Sequence, residues 1–225
     1  MTPAYVFDLD GTLIDTAPDL CAALNELMAD EGRRAIALEE MPLLIGNGVG
    51  KLVARAFERT GAPLEPQRAE AVLGHFLPIY QRRQFDTSRP YPGVIETLEK
   101  LKSAGARLAV LTNKPHEAAV NMIAGFDLGR FFPVVYGGGK RAYLKPDARL
   151  FAEVVAELGG GGPAIMVGDS RPDIETARNA GAPSVLVSYG YSSEPANALG
   201  ADAIVSRFAD VPDAAERLWA AAANS

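Results

Sequence analysis

The sequence predicts an α/β protein: a Rossmann-like core with a mainly parallel sheet, and an inserted helical cap domain. Two observations predict this fold. From residue 90 onward, short apolar runs typical of buried strands alternate with amphipathic helical patterns, as in a sheet built from βαβ units. One further apolar run stands alone near the N-terminus, and the segment after it carries only helical patterns. We therefore expect a core formed by residues 1–15 and 88–225, and a cap formed by residues 16–87.

Composition and charge limit the possible functions. The 225 residues are 48% hydrophobic, which is ample for a buried core. The formal net charge of -6 argues against non-specific binding to nucleic acid or to an anionic membrane. Cys21 is the single cysteine, and neither a signal-peptide pattern nor an apolar run of about 20 residues is present. We expect a cytoplasmic protein, a monomer or small homo-oligomer, that binds neither nucleic acid nor membrane.

The first strand and the first helix are the clearest elements. The strand is predicted over Ala4–Phe7, where the apolar residues do not alternate with polar ones, as in a strand buried on both faces. The helix can be capped by Asp15 or Thr16, has Pro18 in its first turn and ends at Gly32. Its apolar stripe has the spacing of one helix face and consists of Leu20, Leu24, Leu27 and Met28.

The remaining elements follow in order along the chain. Helical patterns in the expected cap cover residues 38–45, 49–59 and 66–83. Helices of the core are predicted over residues 94–104, 117–123, 147–158, 174–180 and 211–223. Strands of the core are predicted over residues 107–112, 132–136, 164–168, 184–188 and 203–205.

Two carboxylates end the first strand. Asp8 and Asp10 are two residues apart, and Gly11 directly after them indicates a sharp turn. Carboxylates crowded at one strand end repel each other unless a cation lies between them, and Mg²⁺ is a hard cation that carboxylates bind. An acidic turn that caps the next helix is the alternative for an isolated pair of this kind.

A second pair of acids follows a later strand. Asp169 comes directly after the strand at 164–168, and Asp173 lies in the first turn of the next helix. Acidic residues near a helix N-terminus are favourable in any case, and a capped helix is the alternative interpretation. Because the carboxyl ends of parallel strands meet at one sheet edge, these acids would join Asp8 and Asp10 there, which makes a bound cation hard to avoid.

Two further motifs lie where strands meet helices. Thr112 and Asn113 follow the strand at 107–112, where a hydroxyl group and backbone N–H groups could bind an anion. Either side chain could instead simply cap the next helix. Lys145 precedes Pro146 and Asp147 at the start of another helix, where it could neutralise phosphate or, as is more usual for a lysine, be solvated.

These four motifs, in this order, resemble those of the haloacid dehalogenase-like hydrolases. The first is the string Asp8-Leu9-Asp10-Gly11-Thr12, and the fourth is Gly168-Asp169-Ser170 followed by Asp173. The resemblance implies that Asp8 is a nucleophile and that Asp10 is a general acid and base. It also implies that Thr112 and Lys145 bind the phosphoryl group, and that Mg²⁺ is held by Asp8, the backbone carbonyl of Asp10, Asp169 and Asp173.

Three further strings resemble the phosphoglycolate phosphatase family in particular. They are Ile45-Gly46-Asn47-Gly48, Thr112-Asn113-Lys114-Pro115 and Tyr189-Gly190-Tyr191. The resemblance implies hydrolysis of a small phosphorylated metabolite, 2-phosphoglycolate. We expect the cap to recognise its carboxylate through Gly46, Asn47, Gly48 and, less strongly, Lys51, with Asn113 as a further substrate-binding residue. Asp147 departs from the family pattern, in which many members carry His or another neutral residue at this position.

Three other functions remain open at this stage. A haloacid dehalogenase would use the same fold and nucleophile, but it needs neither a leaving-group acid nor a metal, so Asp10, Asp169 and Asp173 argue against it. A phosphomutase of the same superfamily is compatible with the motifs. A phospho-accepting signalling receiver also holds Mg²⁺ beside an Asp, but the helical insert and the order of the first motif disfavour it.

Overall fold

The computed structural model describes residues 2–46 and 48–223. Within them, the strands are β1 (Ala4–Phe7), β2 (Ile14–Asp15), β3 (Arg89–Pro90), β4 (Arg107–Pro115), β5 (Val134–Gly138), β6 (Ala164–Gly168), β7 (Ser184–Val187) and β8 (Ala203–Val205). The α-helices are α1 (Ala17–Asp30), α2 (Val49–Thr60), α3 (Ala69–Arg83), α4 (Val94–Ser103), α5 (His116–Gly125), α6 (Ala148–Glu157), α7 (Arg171–Asn179) and α8 (Val211–Ala223).

Six of the strands form one sheet in the order β5-β4-β1-β6-β7-β8. Each neighbouring pair is parallel, and β1 lies between β4 and β6, with Phe7 opposite both Val110 and Val167. The strand order reverses at β1, because the chain builds outward to β5 on one side and returns to β6 on the other. Ligands of such sheets bind at the carboxyl ends of the strands beside this reversal. The predicted α/β fold with a parallel sheet is confirmed.

Helices cover both faces of this sheet, as the all-apolar pattern of β1 predicts. Tyr5 and Phe7 point to one face, where Phe7 packs against Phe132 and Phe208. Ala4 and Val6 point to the other, in a cluster with residues of α6 such as Phe151. The two faces fix β1 firmly, and therefore fix the residues that follow it.

Among the described residues between β1 and α4, the regular elements are helices and one two-stranded antiparallel pair, β2 and β3, at the two ends of the segment. In that pair Ile14 lies opposite Pro90 and Asp15 opposite Arg89, so the chain leaves the sheet region and returns to it at one place. The pair was not predicted, because two residues are too short for a recognisable strand pattern. Packing of α1 against α3, and of α2 against α3, joins the helices of this segment. The division of the chain into a core and a cap at residues 15 and 88 stays a prediction.

Several boundaries differ from the predicted ones. Residues 38–43 form a 3₁₀ helix that contains Pro42, rather than the longer helical segment predicted over residues 38–45. The expected helix over residues 66–83 is divided into a 3₁₀ turn, Pro66–Arg68, and α3. Strand β4 continues to Pro115, past an irregularity in its pairing with β5 after Leu111. Irregularities of this kind re-aim side chains near functional sites.

Candidate active site

Three acids from two strand ends meet at the carboxyl edge of the sheet. Asp8 follows β1, Asp169 follows β6, and Asp173 lies in the first turn of α7. One carboxylate oxygen from each lies within 4.8 Å of the others, and all three residues are buried. The structure thus brings Asp8 from the first predicted acid pair together with both acids of the second pair, while the Asp10 carboxylate is not part of this cluster. Such a cluster is compatible with a metal ion, because buried carboxylates in contact need a cation between them.

Two glycines leave room for Asp169. Gly11 has a φ of +83°, and a Cβ atom there would lie 2.4 Å from Asp169 Oδ2. A Cβ atom on Gly190 would lie 2.2 Å from the Asp169 Cβ. Both contacts are impossible for a larger residue, so these glycines allow the turn after β1 and the loop after β7 to close around Asp169. Within this loop, the backbone N–H of Tyr191 donates a hydrogen bond of 2.6 Å to Asp169 Oδ2.

Lys145 lies in the middle of the acid cluster. Its Nζ atom donates a hydrogen bond of 2.6 Å to Asp173 Oδ1 and lies 2.8 Å from Asp8 Oδ1. The Lys145 side chain is 2% exposed, so it is not the solvated lysine of the alternative interpretation. Asp173 also accepts hydrogen bonds from the backbone and side chain of Ser170 through its Oδ2 atom. The helix-cap interpretation of Asp173 is therefore correct as well, and the two roles use different oxygens.

Burial is the largest cause of the raised pKa values of Asp8 and Asp169. It raises the pKa of Asp8 to about 6, with the charge of Lys145 opposing the rise and that of Asp173 adding to it. Burial, followed by the charges of Asp173 and Asp8, raises the pKa of Asp169 well above its usual value. Burial alone would lower the pKa of Lys145, but the neighbouring charges of Asp173 and Asp8 outweigh it and raise that pKa. One ammonium group therefore does not balance three buried carboxylates.

Thr112 and Asn113 line the same cavity as the acids. The Thr112 hydroxyl is buried and accepts a hydrogen bond of 3.2 Å from the backbone N–H of Lys114. Helix α5 begins at His116, with Pro115 preceding it, so neither Thr112 nor Asn113 is the helix cap of the alternative interpretation. The Asn113 side chain forms hydrogen bonds with the Lys145 backbone instead, which positions that lysine.

The Asp10 carboxylate is held by residues outside the acid cluster. Its Oδ1 atom accepts hydrogen bonds from the Thr16 hydroxyl at 2.8 Å and from Lys114 Nζ at 3.0 Å. The Lys114 Nζ atom also donates to the Tyr80 hydroxyl at 2.7 Å. Sequence reasoning quoted Lys114 within a motif but assigned it no role. The strand was predicted to end at Thr112, so nothing indicated that residue 114 would return to the cavity.

The cap residues that were predicted to bind the substrate differ in their positions relative to the cavity. Gly46 and Gly48 line the cavity with the acids, together with apolar side chains of α2 and α3 such as Leu52 and Tyr80. Asn47 lies outside the described residues. Lys51 is exposed and lies along a neighbouring surface groove with Ala54, Gly138, Gly139 and Leu144. The structure does not bring Lys51 to the cavity, and its role as a substrate-binding residue stays untested.

Asp147, which departs from the expected family pattern, is the N-cap of α6. Its Oδ1 atom accepts a hydrogen bond of 3.0 Å from the Arg149 backbone, and its carboxylate pairs with the Arg149 side chain. These contacts hold the pKa of Asp147 at about 2. The residue has a local structural role next to Lys145 and Pro146.

Comparisons with known proteins agree with this site. The sequence model of the haloacid dehalogenase-like hydrolases matches residues 5–187. Phosphoglycolate phosphatase from Caulobacter vibrioides is 45% identical over 209 residues, which cover 92% of this chain and 88% of that protein. Phosphoglycolate phosphatase from Agrobacterium fabrum is 39% identical, with 93% and 90% covered.

Solved structures give the same result. A crystal structure described as a predicted phosphoglycolate phosphatase from Haemophilus somnus has a TM-score of 0.88 at 32% identity, covering 94% of this chain and 97% of that one. The structure of CbbY from Rhodobacter sphaeroides in complex with phosphate has a TM-score of 0.76 at 26% identity, covering 94% and 96%. No helix in the described parts of the chain is long and apolar enough to cross a membrane. The chain therefore belongs to the haloacid dehalogenase-like hydrolases and, within them, to the phosphoglycolate phosphatase family of phosphoric monoester hydrolases.

Proposed function

We propose that this protein is a Mg²⁺-dependent phosphatase that hydrolyses 2-phosphoglycolate to glycolate and phosphate through an aspartyl-phosphate on Asp8. The observation that carries the proposal is the meeting of Asp8, Asp169 and Asp173 around Lys145 at the strand-order reversal of the sheet. The choice of substrate is supported by the relatives that bear the name phosphoglycolate phosphatase.

The donor set fits Mg²⁺. Asp8 Oδ1 is buried and receives no aligned hydrogen bond, although Lys145 Nζ lies 2.8 Å away. Such an oxygen keeps a lone pair for a cation. Mg²⁺ prefers oxygen ligands and is usually held by one or two carboxylates, water and substrate phosphate. Asp8, Asp169, Asp173 and the Asp10 backbone carbonyl would hold it, and its charge would neutralise the phosphoryl group so that an anionic nucleophile can approach.

The protein residues divide the reaction into two displacements. A carboxylate oxygen of Asp8 attacks phosphorus, and the bond from phosphorus to the glycolate oxygen breaks as Asp10 donates a proton to that oxygen. Asp10 then removes a proton from water, and the resulting hydroxide attacks phosphorus, which frees Asp8 and inorganic phosphate. Thr16 and Lys114 both hold the Asp10 carboxylate, so its orientation is set before the substrate arrives.

Thr112 and Lys145 bind the phosphoryl oxygens in this proposal. Both residues are buried and line the cavity with Asp8. Lys145 balances negative charge on the transferring group in a site that excludes water, where such a charge is most effective. Asn113 contributes by fixing the Lys145 backbone.

We assign substrate selection to the helical segment of residues 16–87, acting as a cap. Gly46 and Gly48 lie on the cavity wall that this segment provides, where their backbone N–H groups could meet an anion. Asn47 lies between these two glycines in the sequence and is the further residue that we assign to this recognition. The cap would also exclude water during the reaction. We retain the expectation that this metabolic enzyme works in the cytoplasm.

Phosphate release from a panel of small phosphomonoesters, with Mg²⁺ and after chelation, tests the proposal. We expect release from 2-phosphoglycolate to exceed that from the other esters and to vanish on chelation. Full activity after exhaustive chelation would contradict the metal requirement. A phosphomutase would instead return phosphate to a sugar phosphate, and a signalling receiver would accept phosphate without turnover, so either outcome would overturn the hydrolase assignment.

A further inference from the structure

Lys114 is a buried cation whose part in the proposed phosphoryl-transfer steps is limited to holding the Asp10 carboxylate. It lies on β4 two residues after Thr112, and its side chain is 4% exposed. Its ammonium group lies between the core and the helical segment, because it contacts Asp10 at 3.0 Å and the hydroxyl of Tyr80 on α3 at 2.7 Å. The same group lies 4.8 Å from the centre of the Tyr80 ring.

Few cations reach the cavity. Of the residues in 2–46 and 48–223 that line it with Asp8 and Asp10, only Lys114 and Lys145 carry a positive charge. Lys145 lies against Asp8 and Asp173, where it binds the phosphoryl group in the proposed reaction. The helical segment lines the cavity with apolar side chains, among them Ile45, Val49, Leu52 and Leu77. These side chains provide neither a hydrogen-bond donor nor a positive charge for an anion. A second anion on the substrate would therefore meet Lys114.

The position of Lys114 agrees with the geometry of such a substrate. Asp10 acts on the oxygen that leaves phosphorus, and Lys114 contacts Asp10 directly. In 2-phosphoglycolate a single methylene group separates that oxygen from the carboxylate carbon. A cation that touches Asp10 from the side of the helical segment therefore lies within reach of this carboxylate.

We propose that the Lys114 ammonium, held in place by Tyr80, binds a carboxylate attached next to the ester oxygen of the substrate and so selects phosphorylated 2-hydroxy acids. The inference rests on the proposed phosphatase function and identifies the residue that binds the carboxylate of the leaving group. Gly46 and Gly48 then shape the cavity and add backbone contacts, while the charge comes from the core.

The cost of burying Lys114 supports a ligand-binding role. Its ammonium group is buried and is held by the Asp10 carboxylate at 3.0 Å and by the Tyr80 hydroxyl at 2.7 Å. It therefore lies in a site from which water is largely excluded. An ion pair with a substrate anion is strong under those conditions, and an anion-free substrate leaves the charge without that partner.

The test compares two esters that differ in the carboxylate alone: 2-phosphoglycolate and ethyl phosphate. Both have poor alkoxide leaving groups, so both need Asp10 as an acid. We expect Lys114→Met to lower kcat/KM for 2-phosphoglycolate about 100-fold more than for ethyl phosphate, the scale of a lost buried charge pair. Lys100→Met, the same change at an exposed position of α4, should leave both values near wild type.

The possible results distinguish a failure of the phosphatase function from a failure of the carboxylate-binding role of Lys114. Wild-type protein that releases phosphate from neither ester contradicts the phosphatase function itself. Wild-type protein that uses both esters equally well, or Lys114→Met with equal losses on both, overturns the carboxylate role while leaving the phosphatase intact. Equal losses would mean that Lys114 acts only through Asp10.

A second pair of measurements applies if Lys114→Met does not fold. Lys114→Gln keeps a hydrogen-bond donor without the charge and should show the same selective loss. With wild-type protein, the primary amide of 2-phosphoglycolate has nearly the size of the substrate but lacks its carboxylate charge. Hydrolysis of this amide at the rate of the acid would overturn the proposal.

Discussion

The side-chain amide of Asn113 forms two hydrogen bonds with the backbone of Lys145. Its Nδ2 donates to the Lys145 carbonyl at 3.1 Å, and its Oδ1 accepts from the Lys145 N–H at 2.8 Å. The Asn113 side chain on β4 thus holds the loop before α6 through both backbone polar groups of Lys145. The Lys145 ammonium depends on this loop for its place between Asp8 and Asp173.

Asn113→Ala should therefore lower kcat about 10- to 100-fold, because a displaced Lys145 no longer meets the phosphoryl group correctly. Steady-state kinetics on one phosphomonoester give the result. Asn179→Ala is the matched control, since its Nδ2 donates to the carbonyl of the adjacent Pro146 from an exposed position. Equal kcat values for the two variants would show that the Asn113 pair does not position Lys145.

The Tyr191 hydroxyl joins the loop after β7 to the start of α1. It accepts hydrogen bonds from the backbone N–H groups of Thr16 and Ala17 and donates one of 2.6 Å to Asp15 Oδ1. Tyr191→Phe leaves these N–H groups without that partner, which should cost about 1–3 kcal/mol of unfolding free energy. Thermal unfolding should detect a fall in Tm.

Tyr143→Phe is the control for that measurement. Its hydroxyl contacts Glu153 near the surface, so we expect a change within about 0.5 kcal/mol. The Tyr191 backbone contact with Asp169 survives in Tyr191→Phe, so the response of this variant to Mg²⁺ should match wild type. A Tm equal to that of wild type would mean that the hydroxyl does not hold the start of α1.

Asp19 predicts a pH dependence of stability. Burial by itself raises its pKa, but hydrogen bonds from Ser88 and Thr87 outweigh this effect and hold the pKa below the usual value. The ionised carboxylate therefore stabilises the fold at pH above its unfolded pKa of about 3.9, and this contribution is lost as the pH falls through the lower folded pKa. Through its hydrogen bonds with Thr87 and Ser88, the Asp19 carboxylate joins α1 to the segment that leads into β3.

Denaturant unfolding of wild type and Asp19→Asn between pH 7 and pH 3 measures this contribution. We expect wild type to be more stable at pH 7, and the difference to shrink below about pH 4. A difference that stays constant across this range would show that the charge of Asp19 contributes nothing beyond its shape and neutral hydrogen bonds.

In the proposed site, Mg²⁺ should stabilise the folded protein directly, because it would balance three buried carboxylates that Lys145 alone does not. At 100 times its dissociation constant, a ligand of the folded state alone adds about 2.7 kcal/mol. Thermal unfolding with Mg²⁺ and with chelator should show this rise in Tm for wild type. Asp213→Asn, an exposed change on α8, should keep the rise, and Asp169→Asn should lose most of it. Equal rises in both variants would place the metal elsewhere.

Much of this fold could be predicted because its signals are local. The apolar run of β1, the turn at Gly11 and the acids at the ends of β1 and β6 each depend on a few neighbouring residues. A parallel sheet places those strand ends at one edge. The order of the six strands was left open, and the direct contact of Asp8 with Asp169 follows from it, because β1 and β6 are neighbours in the sheet.

The contacts of Lys114 could not be predicted, because they depend on three distant parts of the chain. Its side chain returns to the cavity because β4 continues irregularly to Pro115, and its partners come from β1 and from α3. The pairing of Asn113 with Lys145 likewise joins residues 32 positions apart. Neither contact has a periodic pattern, so only the folded structure shows them.

The covalent step on Asp8 is the central claim, and one measurement addresses it directly. Asp10→Asn lacks the acid and base, so with an aryl phosphate, whose leaving group needs little protonation, it should form the aspartyl-phosphate and hydrolyse it slowly. Borohydride reduces an acyl phosphate to an alcohol, which mass spectrometry detects as homoserine. We predict homoserine at position 8, in an amount that matches a burst of released aryl alcohol. Turnover without this product, or homoserine at another aspartate, would contradict the account.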